Sequence, residues 1–331
     1  MSLREAVGQM FVVSIEGPTM NPYTERAIRE RNVGGVLLFG ANMQSEAQVR
    51  SLTGSVQAAA LSSEPGVPLL VAVDQEGGAV SNAPWVSPQP AAAEVGDRGD
   101  PAEARRIARE MGGELLAAGV NTDFAPVVDT GGGAAIGSRS YGDDPALVSR
   151  MGAAAIQGFR EAGIASAAKH FPNHGPATAD SHTGRSVVRH DLATVRSYDL
   201  PPFRAAVEAG VPMVMVSHLV YPAIDPGLPA SLSPEAVRLL RGELGFGGVI
   251  ITDDLSMEAA TRGGAVSQAA VEAVRAGNDA MILSGTAAEQ AAAQEAVVRA
   301  VESGEIPRER VYESAGRIVQ MKREYGLRGA G

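Results

Sequence analysis

Short apolar segments alternate with more polar, helix-like stretches along the whole chain. Each segment is rich in Val, Ile and Leu and nearly uninterrupted, which is typical of strands buried on both faces of a parallel sheet. The eight predicted strands lie within residues 10–17, 34–40, 68–78, 121–129, 164–171, 211–219, 247–255 and 278–285.

The stretches between these strands carry the start and stop signals of helices. Predicted N-caps are Ser45, Asp100, Asp144 and Ser233, and predicted C-terminal glycines are Gly163 and Gly277. Eight strand–helix units predict an α/β fold, a single (β/α)8 TIM-type barrel over residues 1–331, with its active site at the C-terminal ends of the strands. The alternative, a doubly wound open sheet, would place a glycine-rich phosphate loop after strand one, and VVSIEGPTM (12–20) is not one.

Composition excludes several classes of protein. With 331 residues, 45% of them hydrophobic, the chain can bury a large core. A net charge of −10 argues against a nucleic-acid partner. No apolar run approaches the ~20 residues that span a bilayer, and the absence of cysteine excludes disulfides. We expect a monomer that is cytoplasmic, or exported or lipid-anchored if an N-terminal signal has been removed.

Polar residues recur at the predicted C-terminal strand ends, where a barrel places its active site. They are Asp74-Gln75-Glu76 after strand three, Asp129 and then Arg139 after strand four, Lys169-His170 after strand five, Ser217-His218 after strand six and Asp253-Asp254 after strand seven. One such residue is explained by capping or a buried pair. Their coincidence on one face predicts a site.

Three of the five histidines lie in the stretch KHFPNHGPATADSHTG (169–184). The spacing of His170 and His174 suits a helical metal pair, but the proline and glycine around them make a helix implausible. The first strand also lacks the histidine pair common in metal-dependent barrel hydrolases. We therefore expect no metal site.

Asp180 and His182 are two residues apart in this stretch, so their side chains point the same way if the chain is extended. Asp180 is then placed to hold the His182 ring, and histidine titrates near neutral pH, which suits proton transfer. The alternative is an Asp–His pair that merely closes a loop.

Asp253 and Asp254 are adjacent in a strand, so only one can face the barrel mouth. One is a candidate nucleophile or base, and the other is expected to cap the helix near Ser256. A histidine acid/base with a carboxylate nucleophile would make a double-displacement glycosidase that departs from the usual carboxylate pair.

The motifs together resemble those of glycoside hydrolase family 3, in its single-domain β-N-acetylglucosaminidase branch. The resemblance covers almost the whole chain. It is carried by VGGVLLFG (33–40), VDQEGG (73–78), DFAPVVD (123–129), IGSRSYG (136–142), KHFPNHG with ADSH (169–182) and ITDDLSM (251–257).

This resemblance implies a retaining exo-β-N-acetylglucosaminidase that needs no cofactor. Its substrates would be GlcNAc glycosides such as muropeptide fragments of peptidoglycan. Asp253 matches the nucleophile, and His182 matches the acid/base oriented by Asp180. The residues that match those holding the sugar are Asp74, Arg139, Lys169 and His170. For Arg139 and Lys169, ion pairing with Asp74 or Asp129 is a structural alternative compatible with binding.

The chain departs from the family pattern at three positions. Ala79 and Asn82 stand where the family usually has arginines, and Asn173 replaces a glycine. The lost arginines keep open the hypothesis of a catalytically weak sugar-binding protein. A phosphorylase or a β-glucosidase of the same family is a second competing hypothesis, and a metal-dependent amidohydrolase is a more distant third. Trp85 is a candidate stacking platform or an apolar anchor.

Overall fold

A computed structural model describes residues 1–133, 135–177 and 186–327 of the chain. Eight parallel strands form a closed barrel. They are β1 (Phe11–Ser14), β2 (Gly35–Leu38), β3 (Leu70–Val73), β6 (Thr122–Asp123), β7 (Ala165–Phe171), β8 (Met213–Val216), β9 (Val249–Asp254) and β10 (Ala280–Leu283). A small hairpin, β4 (Gln75–Gly77) and β5 (Val80–Ser81), follows β3.

The barrel closes in the spatial order β1-β10-β9-β8-β7-β6-β3-β2. Barrel strands that follow one another along the chain are therefore neighbours in space, and β1 pairs with β10 to complete the ring. Each strand lies inside its predicted segment, so the (β/α)8 prediction is confirmed.

Helices surround the barrel. They are α1 (Leu3–Gln9), α2 (Pro22–Arg29), α3 (Glu46–Leu61), α4 (Ala92–Arg98), α5 (Pro101–Ala117), α6 (Pro145–Ala162), α7 (Leu192–Thr194), α8 (Pro201–Glu208), α9 (Pro234–Arg238), α10 (Glu258–Thr261), α11 (Val266–Ala276), α12 (Ala287–Glu302) and α13 (Arg308–Glu324). A π-helical turn, Val195–Asp199, continues α7, and a second, Leu239–Glu243, continues α9.

The predicted helix signals are confirmed. Ser45, Asp100, Asp144 and Ser233 each accept a hydrogen bond from a backbone N–H of the first turn. Gly163 and Gly277 end α6 and α11 with φ of 84° and 111°, a left-handed conformation that glycine adopts without steric cost. The core lies between strands and helices and inside the barrel, where strand residues are almost all buried.

Candidate active site

The polar residues predicted at the strand ends lie together at one end of the barrel. Lys169 and His170 are near the end of β7, and Asp253 and Asp254 end β9. Asp74 follows β3 directly, and the hairpin strand β4 then carries Glu76. Because all barrel strands are parallel, these ends converge on one face.

Lys169 lies at the centre of a network of ion pairs. Its Nζ is 2.6 Å from Asp74 Oδ1 and 2.7 Å from Glu76 Oε1. Arg139, from a short 3-10 turn, donates to both oxygens of Glu76, each at 2.7 Å. The ion pairing considered for Lys169 and Asp74 is therefore present. That considered for Arg139 is present with a different partner, Glu76.

Glu76 holds both cations in place. Its side chain is only 6% exposed, so the charge could not persist without partners. Burial raises the pKa of this carboxyl, but Lys169 and Arg139 outweigh the effect and lower the pKa to about 2. Glu76 is consequently charged at neutral pH, and it presents Arg139 and Lys169 to the barrel mouth in a fixed orientation.

Asp129 organises the histidines of the KHFPNHG stretch. This carboxylate is fully buried and accepts from the backbone N–H groups of His170 and His174, at 3.1 and 2.6 Å. Its other oxygen is 2.7 Å from Nδ1 of His170. Burial raises the pKa of Asp129, but attraction to His170 and the hydrogen bonds lower it overall.

The pairing with Asp129 fixes the tautomer of His170. Nδ1 donates to the carboxylate, which leaves Nε2 as an acceptor in the neutral ring. Nη2 of Arg139 is 3.4 Å from that Nε2. The interactions therefore run without a break from Asp129 through His170 and Arg139 to Glu76.

The two adjacent aspartates of β9 have different partners. The Asp254 carboxylate accepts from the backbone N–H groups of Ser256 and Ser284, at 2.9 and 3.0 Å, and from the Ser284 hydroxyl. It thus connects β9 to the end of β10 and caps the turn that begins at Ser256. Asp253 accepts only the N–H of Asp254, at 2.8 Å, among the bonds identified in the described residues.

Asp253 faces the positive side of the site. Burial raises the pKa of its carboxyl, but attraction by His218, His170 and Lys169 outweighs this and lowers the pKa to about 2. His218 Nε2 donates to the Asp254 carbonyl at 2.9 Å, which positions the ring beside the end of β9. Asp253 is therefore an ionised carboxylate close to the Lys169 ammonium group, a state suited to a nucleophile.

The structure thus brings together Asp74, Arg139, Lys169, His170 and Asp253. Asp180 and His182 lie outside the described residues. Glu76 and Asp129 were not among the predicted binding residues, although both stood in the clusters at the strand ends. The sequence signal for both residues was their position at the end of a predicted strand, because Glu76 follows β3 and Asp129 ends the predicted segment 121–129.

Two further residues singled out in the sequence, Asn82 and Trp85, follow β3. Asn82 donates from Nδ2 to the Asp74 carbonyl at 2.7 Å, so its amide is occupied by the turn it belongs to. Trp85 donates from Nε1 to the carbonyl of Glu114 at 3.3 Å and packs against the barrel core, which fits an anchor.

In ranges 1–133, 135–177 and 186–327, no group of three or more His, Asp or Glu side chains is arranged to hold a metal ion. Over the same part of the chain, every helix is too short or too polar to cross a bilayer.

A parallel barrel with charged side chains gathered at the C-terminal ends of its strands is typical of barrel enzymes. The family model for the glycosyl hydrolase family 3 N terminal domain matches residues 2–321. A beta-hexosaminidase of Alkalilimnicola ehrlichii is 38% identical over 82% of this chain and 79% of its own length. One from Stenotrophomonas maltophilia is 36% identical over 83% of each.

Solved structures agree. A family 3 beta-N-acetylglucosaminidase from a Paenibacillus species has a TM-score of 0.97 and 39% identity, and covers 100% of this chain. This chain spans only 64% of that longer protein. The beta-N-acetylhexosaminidase of Beutenbergia cavernae has a TM-score of 0.90 and 33% identity, over 98% of this chain and 99% of its own. The chain belongs to glycosyl hydrolase family 3, and its predicted assignment as a glycosidase is confirmed.

Proposed function

We propose that the chain is a retaining exo-β-N-acetylglucosaminidase. The observation that carries this proposal is the Asp253 carboxylate, ionised among His218, His170 and Lys169 at the barrel mouth. The relatives named beta-hexosaminidase and beta-N-acetylglucosaminidase support the sugar class. Cell-wall fragments with terminal β-linked GlcNAc are the proposed natural substrates.

In the first step, an oxygen of Asp253 attacks the anomeric carbon while the bond to the leaving-group oxygen breaks. The leaving oxygen takes a proton from His182, whose ring Asp180 orients. In the second step, His182 removes a proton from water as the water oxygen attacks the anomeric carbon, and the Asp253–sugar bond breaks. Both steps invert the anomeric carbon, so the product retains the configuration.

The charge network provides sugar recognition. Asp74 retains a partly exposed carboxylate, with 27% of its side chain accessible, which can accept from ring hydroxyls. Arg139 is 20% accessible and offers donors toward the mouth. Lys169 is almost fully buried between two carboxylates, and supplies positive charge that stabilises the ionised Asp253.

Azide rescue tests the proposal. The Asp253→Ala variant should lose nearly all turnover of a nitrophenyl β-GlcNAc glycoside. Added azide should partly restore release of the nitrophenol, and the sugar product should be an α-glycosyl azide, because only one inversion then occurs. Matched variants at Asp254 serve as controls. Normal activity of Asp253→Ala, or an azide product of β configuration, would overturn the assignment. Product analysis with and without inorganic phosphate distinguishes hydrolysis from phosphorolysis.

A further inference from the structure

A second buried network adjoins the Asp129–His170 pair. Asp199, fully buried at the end of the π-helical turn, accepts from Asn173 Nδ2 at 2.8 Å through one oxygen. Its other oxygen is 2.9 Å from Nδ1 of His190. Asn173 precedes the segment 178–185 and His190 follows it. One carboxylate thus connects the chain on both sides of that segment.

Asn173 fixes the chain before the segment. Its Nδ2 also donates to the Thr130 carbonyl at 3.1 Å, and its Oδ1 accepts from the N–H groups of Thr130 and Gly175, each at 3.0 Å. The hydroxyl of Tyr221 donates to the Asn173 carbonyl. Every polar atom of the side-chain amide is therefore used, which a glycine at this position could not reproduce.

His190 and its neighbours fix the chain after the segment. Backbone bonds join Val188 N–H to the Val220 carbonyl and Val220 N–H to the Ser186 carbonyl, both at 3.0 Å. The His190 ring meets the ring of Tyr198 edge to face, with centroids 5.7 Å apart. Burial raises the pKa of Asp199 above its usual value, and the bonds from Asn173 and His190, which favour the charged form, offset only part of this rise.

We propose that Asp199 is a positioning residue for acid/base catalysis, because it joins Asn173, before the segment 178–185 that contains Asp180 and His182, to His190, after that segment. The inference rests on the proposed function, in which His182 delivers the proton. A proton donor must lie within hydrogen-bonding reach of the leaving oxygen, and a displacement of about 1 Å can cost up to about a hundredfold in rate. Asp199 acts indirectly, through its hydrogen bonds to Asn173 and His190.

The test compares two leaving groups in Asp199→Ala. For a GlcNAc disaccharide, which needs protonation, kcat/KM should fall at least about tenfold. For a dinitrophenyl GlcNAc glycoside, which leaves unprotonated, kcat/KM should change less than about twofold. Arg196→Gln is the matched control, since Arg196 lies in the same turn but makes an exposed ion pair with Glu243. All assays are run below the unfolding temperature of each variant.

Single anchors give a second measurement. Asn173→Gly and His190→Ala should each show part of the selective loss. His190→Ala should cost less in the Asp199→Ala background than in the parent, because the contact with Asp199 is already gone and only the ring contact with Tyr198 remains to be lost. An equal loss for both substrates in Asp199→Ala, or no loss for either, would overturn the inference.

His182→Ala, measured in parallel, separates this inference from the proposed function. If His182→Ala is selective for the poor leaving group and Asp199→Ala is not, the positioning role alone is wrong. If His182→Ala shows the leaving-group dependence of the parent enzyme, the acid assignment is wrong, and the inference is overturned with it.

Discussion

The substitution Glu76→Gln tests the charge network on which sugar recognition depends. Glu76 is 6% exposed and contacts both Lys169 and Arg139. Its pKa falls from 4.5 to about 2, which corresponds to about 3 kcal/mol of stabilisation, since each pKa unit is worth about 1.4 kcal/mol. Glutamine keeps the shape but not the charge, so this stabilisation should be lost.

The pH dependence has a definite sign. Because folding lowers the pKa of Glu76, its contribution is present above the unfolded value of 4.5 and is lost as the pH falls toward 2. The free energy of unfolding, measured in urea, should therefore be about 3 kcal/mol lower for Glu76→Gln than for the parent at pH 7. This difference should shrink steadily below pH 4.5.

Glu110→Gln is the matched control, because Glu110 pairs with Arg106 on the exposed side of α5 and should change stability little at any pH. In the kinetic assay, Glu76→Gln should raise KM for GlcNAc glycosides, since Arg139 loses its bidentate partner. A stability difference that does not depend on pH, or one no larger than that of Glu110→Gln, would refute the reasoning.

Three further predictions concern single residues. Asp254→Ala should lower the free energy of unfolding by about 1–3 kcal/mol, because it leaves the half-buried donors of Ser256 and Ser284 unpaired, and urea titration measures this. Asn82→Arg should lower KM for GlcNAc glycosides in steady-state assays, whereas a KM already low in the parent would contradict a weakened subsite. His182→Ala should slow disaccharide hydrolysis by roughly 10²–10⁴-fold and give a burst with aryl glycosides. Equal dependence on leaving-group pKa in parent and variant would exclude His182 as the acid.

The barrel was predictable because its signals are local. Each strand is a short apolar run, and caps such as Asp100 and Gly163 act on their own helix. The same locality explains why the cluster of polar strand ends could be predicted as a site. Parallel strands bring their ends together whatever the details of the loops.

The partners of individual site residues depend on distant parts of the chain. Asp254 is held by Ser284 at the end of the next strand, a contact that the apolar sequence of β9 does not predict and that supports the proposal of Asp253 as the nucleophile. Glu76, in the hairpin strand β4, pairs with Arg139 from a turn 63 residues further along the chain, and no local pattern encodes that pairing. The link from Asn173 to Asp199 likewise requires the π-helical turn.

Labelling of the nucleophile tests the central claim most directly. A fluorinated GlcNAc glycoside that forms a long-lived glycosyl-enzyme should label the chain once. Trypsin then releases the peptide 242–262, which contains both Asp253 and Asp254. Fragmentation of this peptide in a mass spectrometer should place the sugar on Asp253. A label on Asp254, or on any other peptide, would contradict the account.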